Sequence, residues 1–236
     1  MQTFERDGAR IRYAVHGSGF PVLALAPGGM KSRAQAWEKV PWNPVAALAG
    51  THRVIVMDQR HAGGSTAPVT GDEGWATYAA DQLALLDHLG VDRFHVVGMC
   101  IGGPFLLNLI RSAPDRVERA VALQPIGLDD NRALFYELFD GWAVDRVGAH
   151  PEAGPAEWAA FREGLFGVEP TLFTVPDAEL SAITTPLLVL MGDDPHHPSS
   201  ASRLLAERVP GARLVPRWTE GADLAAATAT IAEFLG

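Results

Sequence analysis

A series of short, continuously apolar runs alternates with segments of helical periodicity, and this restricts the fold more than any other feature of the 236-residue chain. The runs are VLALA (22–26), the apolar centre of HRVIVMD (52–58), FHVV (94–97), RAVALQP (119–125), PLLVLMG (186–192) and ARLVP (212–216). Four or five apolar residues in a row without polar alternation, as in VLALA, VIVM, AVAL and LLVLM, suit strands buried on both faces. Between them, WATYAADQLALLDHLG places Leu83, Leu85, Leu86 and Leu89 at helical spacing, with Gly90 as the stop. A helix to about Ser112, SSASRLLAERV and the C-terminal LAAATATIAEFL supply further helices, and Val45–Ala49 reads as a short one. Strands alternating with helices predict a mostly parallel, twisted sheet with helices on both faces. Two alternating segments joined by RDG, Thr3–Arg6 and Arg10–His16, predict a hairpin ahead of it.

The stretch from 127 to 182 interrupts this rhythm. It has no buried strand but carries Phe135, Tyr136, Phe139, Trp142, Trp158, Phe161, Phe166 and Phe173. It reads as a small helical cap inserted into a core made of 1–126 and 183–236. Leu134, Phe135, Leu138, Phe139 and Trp142 recur at helical spacing, which predicts one buried face, leaving one or two aromatics to reach a pocket.

Charge and cysteine content narrow the classes of function. A formal charge of −9, spread along the chain, disfavours nucleic acid and anionic membrane surfaces as partners. One cysteine allows no internal disulfide, the opening MQTFERDGARIRY has no leader-like pattern, and no apolar run is long enough for a membrane span, so a cytoplasmic protein is expected. No dinucleotide fingerprint and no convergent metal ligands stand out, so no cofactor is expected.

The single cysteine, Cys100, lies at the centre of Gly98-Met99-Cys100-Ile101-Gly102, between an apolar strand and a helix. Such a turn forces its central residue into a positive-φ conformation and lifts the side chain above the sheet edge. The glycines two residues to either side allow the chain to fold back tightly. The helix N-terminus then favours a thiolate, and the N–H of Ile101 is free to bind a developing oxyanion.

On these residues the chain resembles the α/β-hydrolase superfamily over nearly its whole length. VHGSGFPVLALAPGG is similar to the family's third strand and oxyanion loop, and VIVMDQRHAGGS to its D-x-R-G-x-G-x-S segment. VVGMCIGG resembles the nucleophile elbow, and PLLVLMGDDPHHP the strand and loop that present the acid. The resemblance implies Cys100 as nucleophile, where serine is the usual residue, and Gly29 with Ile101 as oxyanion donors, Met30 being the next candidate in the loop. It implies Asp194 as the acid, beside Asp193; Asp129 or Asp130 is the alternative, because some members carry the acid one strand earlier. Asp58 and Arg60 are read as structural locks of their loop.

The histidine breaks the family pattern. It belongs in the loop before the C-terminal helix, but LVPRWTEGADLAAATATIAEFLG has none, and Asp223 stands near its place. His16, His52, His88 and His95 fall in segments that read as structural. His61 stands where the family has a glycine, and His150 lies in the cap. His196 and His197 follow Asp194 on the rim that should display Cys100, and His197 is the candidate base. The expected activity is that of a hydrolase or acyl-transfer enzyme acting through cysteine on a small apolar ester, lactone or thioester. Deacylation is expected to be slow unless a base is well placed. A non-hydrolytic member of the fold, lyase-like, cofactor-free or ligand-binding, is the alternative.

Overall fold

The computed structural model describes residues 1–236. Eight strands form one sheet: β1 (Gln2–Arg6), β2 (Ala9–His16), β3 (Phe20–Leu25), β4 (His52–Met57), β5 (Phe94–Met99), β6 (Val117–Leu123), β7 (Leu187–Leu190) and β8 (Arg213–Val215). Their order across the sheet is β1-β2-β4-β3-β5-β6-β7-β8. The hairpin of β1 and β2 is antiparallel and joins β4 antiparallel; every pair from β4 to β8 is parallel. Seven helices accompany them: α1 (Pro44–Leu48), α2 (Trp75–His88), α3 (Gly102–Ser112), α4 (Arg132–Val144), α5 (Pro155–Phe166), α6 (Ser199–Arg208) and α7 (Gly221–Leu235).

The apolar runs divide between two cores because successive strand residues point to opposite faces. On β3, Leu23 and Leu25 join a core with Phe94, Phe105 and Leu106, while Val22 and Ala24 face Trp37, Trp218 and Ile231 on the other side. This two-sided burial explains why these strands lack polar alternation. It extends to β6 and β7, where Val121 and Leu188 serve one face and Ala122 and Val189 the other.

Topology places the site. The chain leaves β3 for β4 on one side and returns to β5 on the other, so the direction of winding reverses between β3 and β5. At such a reversal the loops beyond the carboxyl ends of the two strands diverge and leave a crevice. The loop after β3 (26–31) and the turn after β5 therefore face one another, with the loop after β7 beyond β6.

The segment between β6 and β7 holds α4, α5 and two short 3-10 turns, with no strand. Its aromatic side chains mostly pack on one another and on the core. Phe135 stacks on Phe166 at 5.5 Å between ring centroids and meets Phe173 at 5.1 Å, and Trp75 of α2 meets Phe173 at 5.8 Å. The buried face of α4 is narrower than its spacing suggests: Phe135, Phe139, Trp142 and Ala143 are buried, Leu134 is half-buried, and Leu138 is 50% exposed. Leu138 instead stands at the edge of the crevice, because α4 lies across the 3-10 turn Gly29–Lys31 and not over the sheet alone.

Glycine is required where the elbow packs backbone on backbone. A Cβ on Gly98 would lie 2.1 Å from the Gly102 carbonyl oxygen, and one on Gly102 would lie 2.4 Å from that of Leu25. Replacing Gly98 by alanine should therefore destabilise the fold by about 3 kcal/mol, the upper part of the usual range for overpacking. The midpoint of urea unfolding measures it, and an unchanged midpoint would contradict the close packing.

Candidate active site

Cys100 lies between β5 and α3 with φ of 61°, in the left-handed region that an L-residue adopts at a cost. Three main-chain bonds hold it there. Its N–H donates to the Leu123 carbonyl at 3.0 Å, and its own carbonyl accepts from Gly103 (3.0 Å) and Ile126 (3.2 Å). The thiol is half-buried at the floor of a cavity of about 590 Å³.

His197 reaches the thiol from the loop between β7 and α6. This loop closes on itself through an isolated antiparallel bridge between Asp194 and His197, with the His197 N–H donating to the Asp194 carbonyl at 3.0 Å. Asp194 Oδ1 accepts the N–H groups of His196 (2.9 Å) and His197 (3.1 Å), and Oδ2 lies 2.7 Å from His197 Nδ1. A carboxylate only accepts, so Nδ1 carries a proton and Nε2 is the nitrogen left for the thiol. Nε2 is buried with no hydrogen-bond partner of ordinary geometry in the resting site. The imidazole and the thiol are nevertheless close enough to control each other's ionisation. Gly192 makes the approach possible, since a Cβ there would lie 2.6 Å from that of His197.

The electrostatics favour a thiolate–imidazolium pair. Burial pushes the Cys100 thiol up, but the nearby His197 ring and the N–H groups of Gly28 and Ile101 outweigh it, and the thiol ends below its ordinary value. Burial lowers His197, while the nearby Cys100 and then the bond and charge of Asp194 raise it to about 9. For Asp194, burial works upward and is overcome by the His197 bond and the N–H of His196, so the carboxyl sits below its usual range.

Ile101 of the elbow and Gly28 and Gly29 of the loop after β3 all line the cavity beside Cys100, and the N–H groups of Gly28 and Ile101 act on the ionisation of the thiol. Gly28 turns the chain with φ of 118° before the 3-10 turn begins. Gly29 and Met30 line the cavity wall and donate to no main-chain carbonyl.

The other candidates lie elsewhere. Asp129 Oδ2 accepts from the Ser200 hydroxyl at 2.8 Å, and Asp130 and Asp193 are exposed. Asp223 pairs with Arg217 at 3.1 Å on the surface, while buried Trp218, donating to the Met191 carbonyl at 2.9 Å, fills the region beneath that loop. Asp58 is buried and accepts the N–H groups of Ala34 and Gly64 at 2.9 and 2.8 Å, and Arg60 grips Asp81 with two bonds. His61 is buried against Trp142 and Phe161, its pKa lowered to about 3 by burial and then by Arg60, and it does not line the cavity. His150 bonds Glu152 in the cap at 2.8 Å. His196 lines the cavity, its ring against Phe135 at 6.1 Å.

The cavity wall is mainly apolar: Ile126, Phe135, Leu138, Trp142 and Phe166 face the thiol side, and Lys31 and Glu137 stand at the rim. Three aromatics thus reach the cavity, one more than the sequence suggests. No group of three or more His, Cys, Asp or Glu side chains is arranged to hold a metal ion. No helix is long and apolar enough to cross a membrane.

A family model described as alpha/beta hydrolase fold matches residues 21–151. The putative carbamate hydrolase RutD of Azorhizobium caulinodans is 30% identical to the chain, covering 87% of it and 85% of the relative. Carboxylesterase YbfK of Bacillus subtilis is 28% identical over 81% of the chain and 70% of its own length. Among solved structures, a hydrolase from Pseudomonas aeruginosa superposes with a TM-score of 0.75 at 26% identity, covering 100% of this chain and 98% of that one. An enol-lactonase from Burkholderia xenovorans shares the fold, with a TM-score of 0.72 at 22% identity over 99% of each chain.

The ionisation of the pair can be read from the rate at which iodoacetamide alkylates Cys100. The half-rise should lie below the ordinary thiol value of 9.0. In His197→Ala, burial is left as the largest influence, and the half-rise should move up by about one unit or more. Asp194→Asn should lower the His197 pKa from about 9, seen as an earlier titration of its ring protons by NMR. Superimposable alkylation profiles for the parent and His197→Ala would rule out the pairing.

Proposed function

The chain belongs to the alpha/beta hydrolase fold family, and we propose that it is a hydrolase or acyl-transfer enzyme with Cys100 as nucleophile, His197 as base and Asp194 as the acid that orients it. The observation that carries this reading is the 2.7 Å bond between His197 and Asp194 on a loop that brings the imidazole to the thiol. It supplies the base that the loop before α7 lacks. Relatives named as carboxylesterase and carbamate hydrolase support acyl chemistry of this general type.

The reaction runs in two halves. The Cys100 thiolate attacks the carbonyl carbon of the substrate, and the π pair moves onto oxygen. The resulting oxyanion lies among the N–H groups of Ile101 and the loop glycines Gly28 and Gly29. Collapse of the tetrahedral adduct expels the leaving group, which takes the proton from His197 Nε2, and an acyl-cysteine remains. Neutral His197 then takes a proton from water, or from another acceptor nucleophile, as it attacks the thioester. Collapse returns the thiolate and the imidazolium.

Asp194 stays ionised throughout and holds the ring in the tautomer that presents Nε2. The apolar wall suits a small, largely apolar acyl group, and the cavity volume fits a compact ester, lactone or thioester. A base near the thiol removes the reason to expect slow deacylation, so hydrolysis and transfer compete according to which nucleophile enters.

Intact mass measured during turnover of a panel of activated esters, lactones and thioesters tests the assignment. The parent should gain an acyl mass that Cys100→Ala never shows. His197→Ala should turn over about a thousand-fold more slowly, within the range for losing a general base. Activity should rise with pH as the thiolate forms and fall as pH passes about 9, where His197 loses the proton that the leaving group needs. Equal turnover by Cys100→Ala would refute the role of the thiol.

A further inference from the structure

The loop that carries Asp194 and His197 is fastened to the cap by one side chain. Asn131 stands at the start of α4, where an asparagine commonly accepts a hydrogen bond from the first turn of its own helix. Here it makes no such bond. Its amide nitrogen donates to the Pro195 carbonyl at 2.7 Å and to the Gly127 carbonyl at 3.0 Å, and its Oδ1 accepts the Asp129 N–H at 2.8 Å. The orientation of the amide is forced: turned over, it would set oxygen against two carbonyl oxygens and nitrogen against an N–H.

We propose that Asn131 is a positioning residue for the candidate active site: by tying the Pro195 carbonyl to the Gly127 carbonyl, it fixes where His197 stands relative to Cys100. Pro195 lies between the acid and the base and has no N–H, so its carbonyl is the residue's one main-chain handle. The loop's remaining bonds mostly close it on itself, Asp194 to His196 and His197. Those bonds fix the shape of the acid–base unit but not its place over the thiol.

Two further contacts join the same two segments. Ser200 donates to Asp129 Oδ2 at 2.8 Å, and the His196 ring lies edge-on to Phe135 of α4 at 6.1 Å. Asn131 differs from both in bonding the backbone between the two functional side chains. It therefore couples the start of the cap to the position of the base.

The inference rests on the pairing of Cys100 with His197, and the test separates the two. Asn131→Ala removes all three bonds. Asn131→Asp keeps a residue well suited to a helix start, so α4 stays stable, but loses both donors and sets a carboxylate against two carbonyls. Alkylation of Cys100 by iodoacetamide is followed against pH for the parent, both variants and His197→Ala, alongside thermal unfolding.

Both Asn131 variants should move the half-rise upward toward that of His197→Ala, with Asn131→Asp keeping the parent's unfolding temperature. On whichever activated ester the parent cleaves, kcat should fall about ten- to a hundred-fold with KM little changed, as for a displaced catalytic group. A shifted profile for His197→Ala with parental profiles for both Asn131 variants would overturn the positioning role and leave the pairing intact. Parental profiles for all three would overturn the pairing, and the inference with it.

Discussion

The left-handed turn at Cys100 is the constraint on which the rest of the site depends. A residue with φ of 61° persists only where its surroundings over-determine it. Here the surroundings are backbone: the Leu123 carbonyl above, Gly103 and Ile126 reaching back, and Gly98 against Gly102 without room for a methyl group. Because these partners come from β5, β6 and α3, the position of the sulfur is set by the core of the sheet and not by a surface loop. Everything else in the site is brought to a fixed point.

What is brought there arrives from two directions. The loop after β3 supplies N–H groups, and the loop after β7 supplies an imidazole already bound to its carboxylate. The histidine thus departs from the expected C-terminal loop, where Trp218 fills the space below and Asp223 pairs with Arg217. In the reading proposed above, the chemical requirement for a base is met by different residues on the same rim of the sheet. Burial, which alone would keep the thiol protonated and the imidazole neutral, is overcome because each charge stabilises the other.

The fold was legible because its signals are local and redundant: buried strands without alternation, glycines around Cys100, helical spacing of leucines from 83 to 89. The pairing of Asp194 with His197 was partly legible too, since a spacing of three residues within a proline-bounded turn lets the two side chains meet. Other features were hidden for physical reasons. The exposure of Leu138 depends on α4 lying across the loop after β3, a tertiary choice that overrides helical spacing. Asn131 bonds across 64 residues of sequence to Pro195, and no local pattern announces a contact of that range.

Placing the proposed acid and base three residues apart has a mechanical consequence. Where the three groups of a triad come from three separate loops, two long-range distances must be kept at once. In this chain the carboxylate–imidazole distance is a property of one short turn, and only the separation between the ends of β5 and β7, with β6 between them, remains to be held. Because the carboxylate and imidazole are tied within one turn, any displacement of that turn changes how far the imidazole stands from the sulfur without changing the imidazole's own tautomer. Such a site has a single soft coordinate, and a displacement along it acts on proton transfer to the thiol while leaving the Asp194–His197 bond intact.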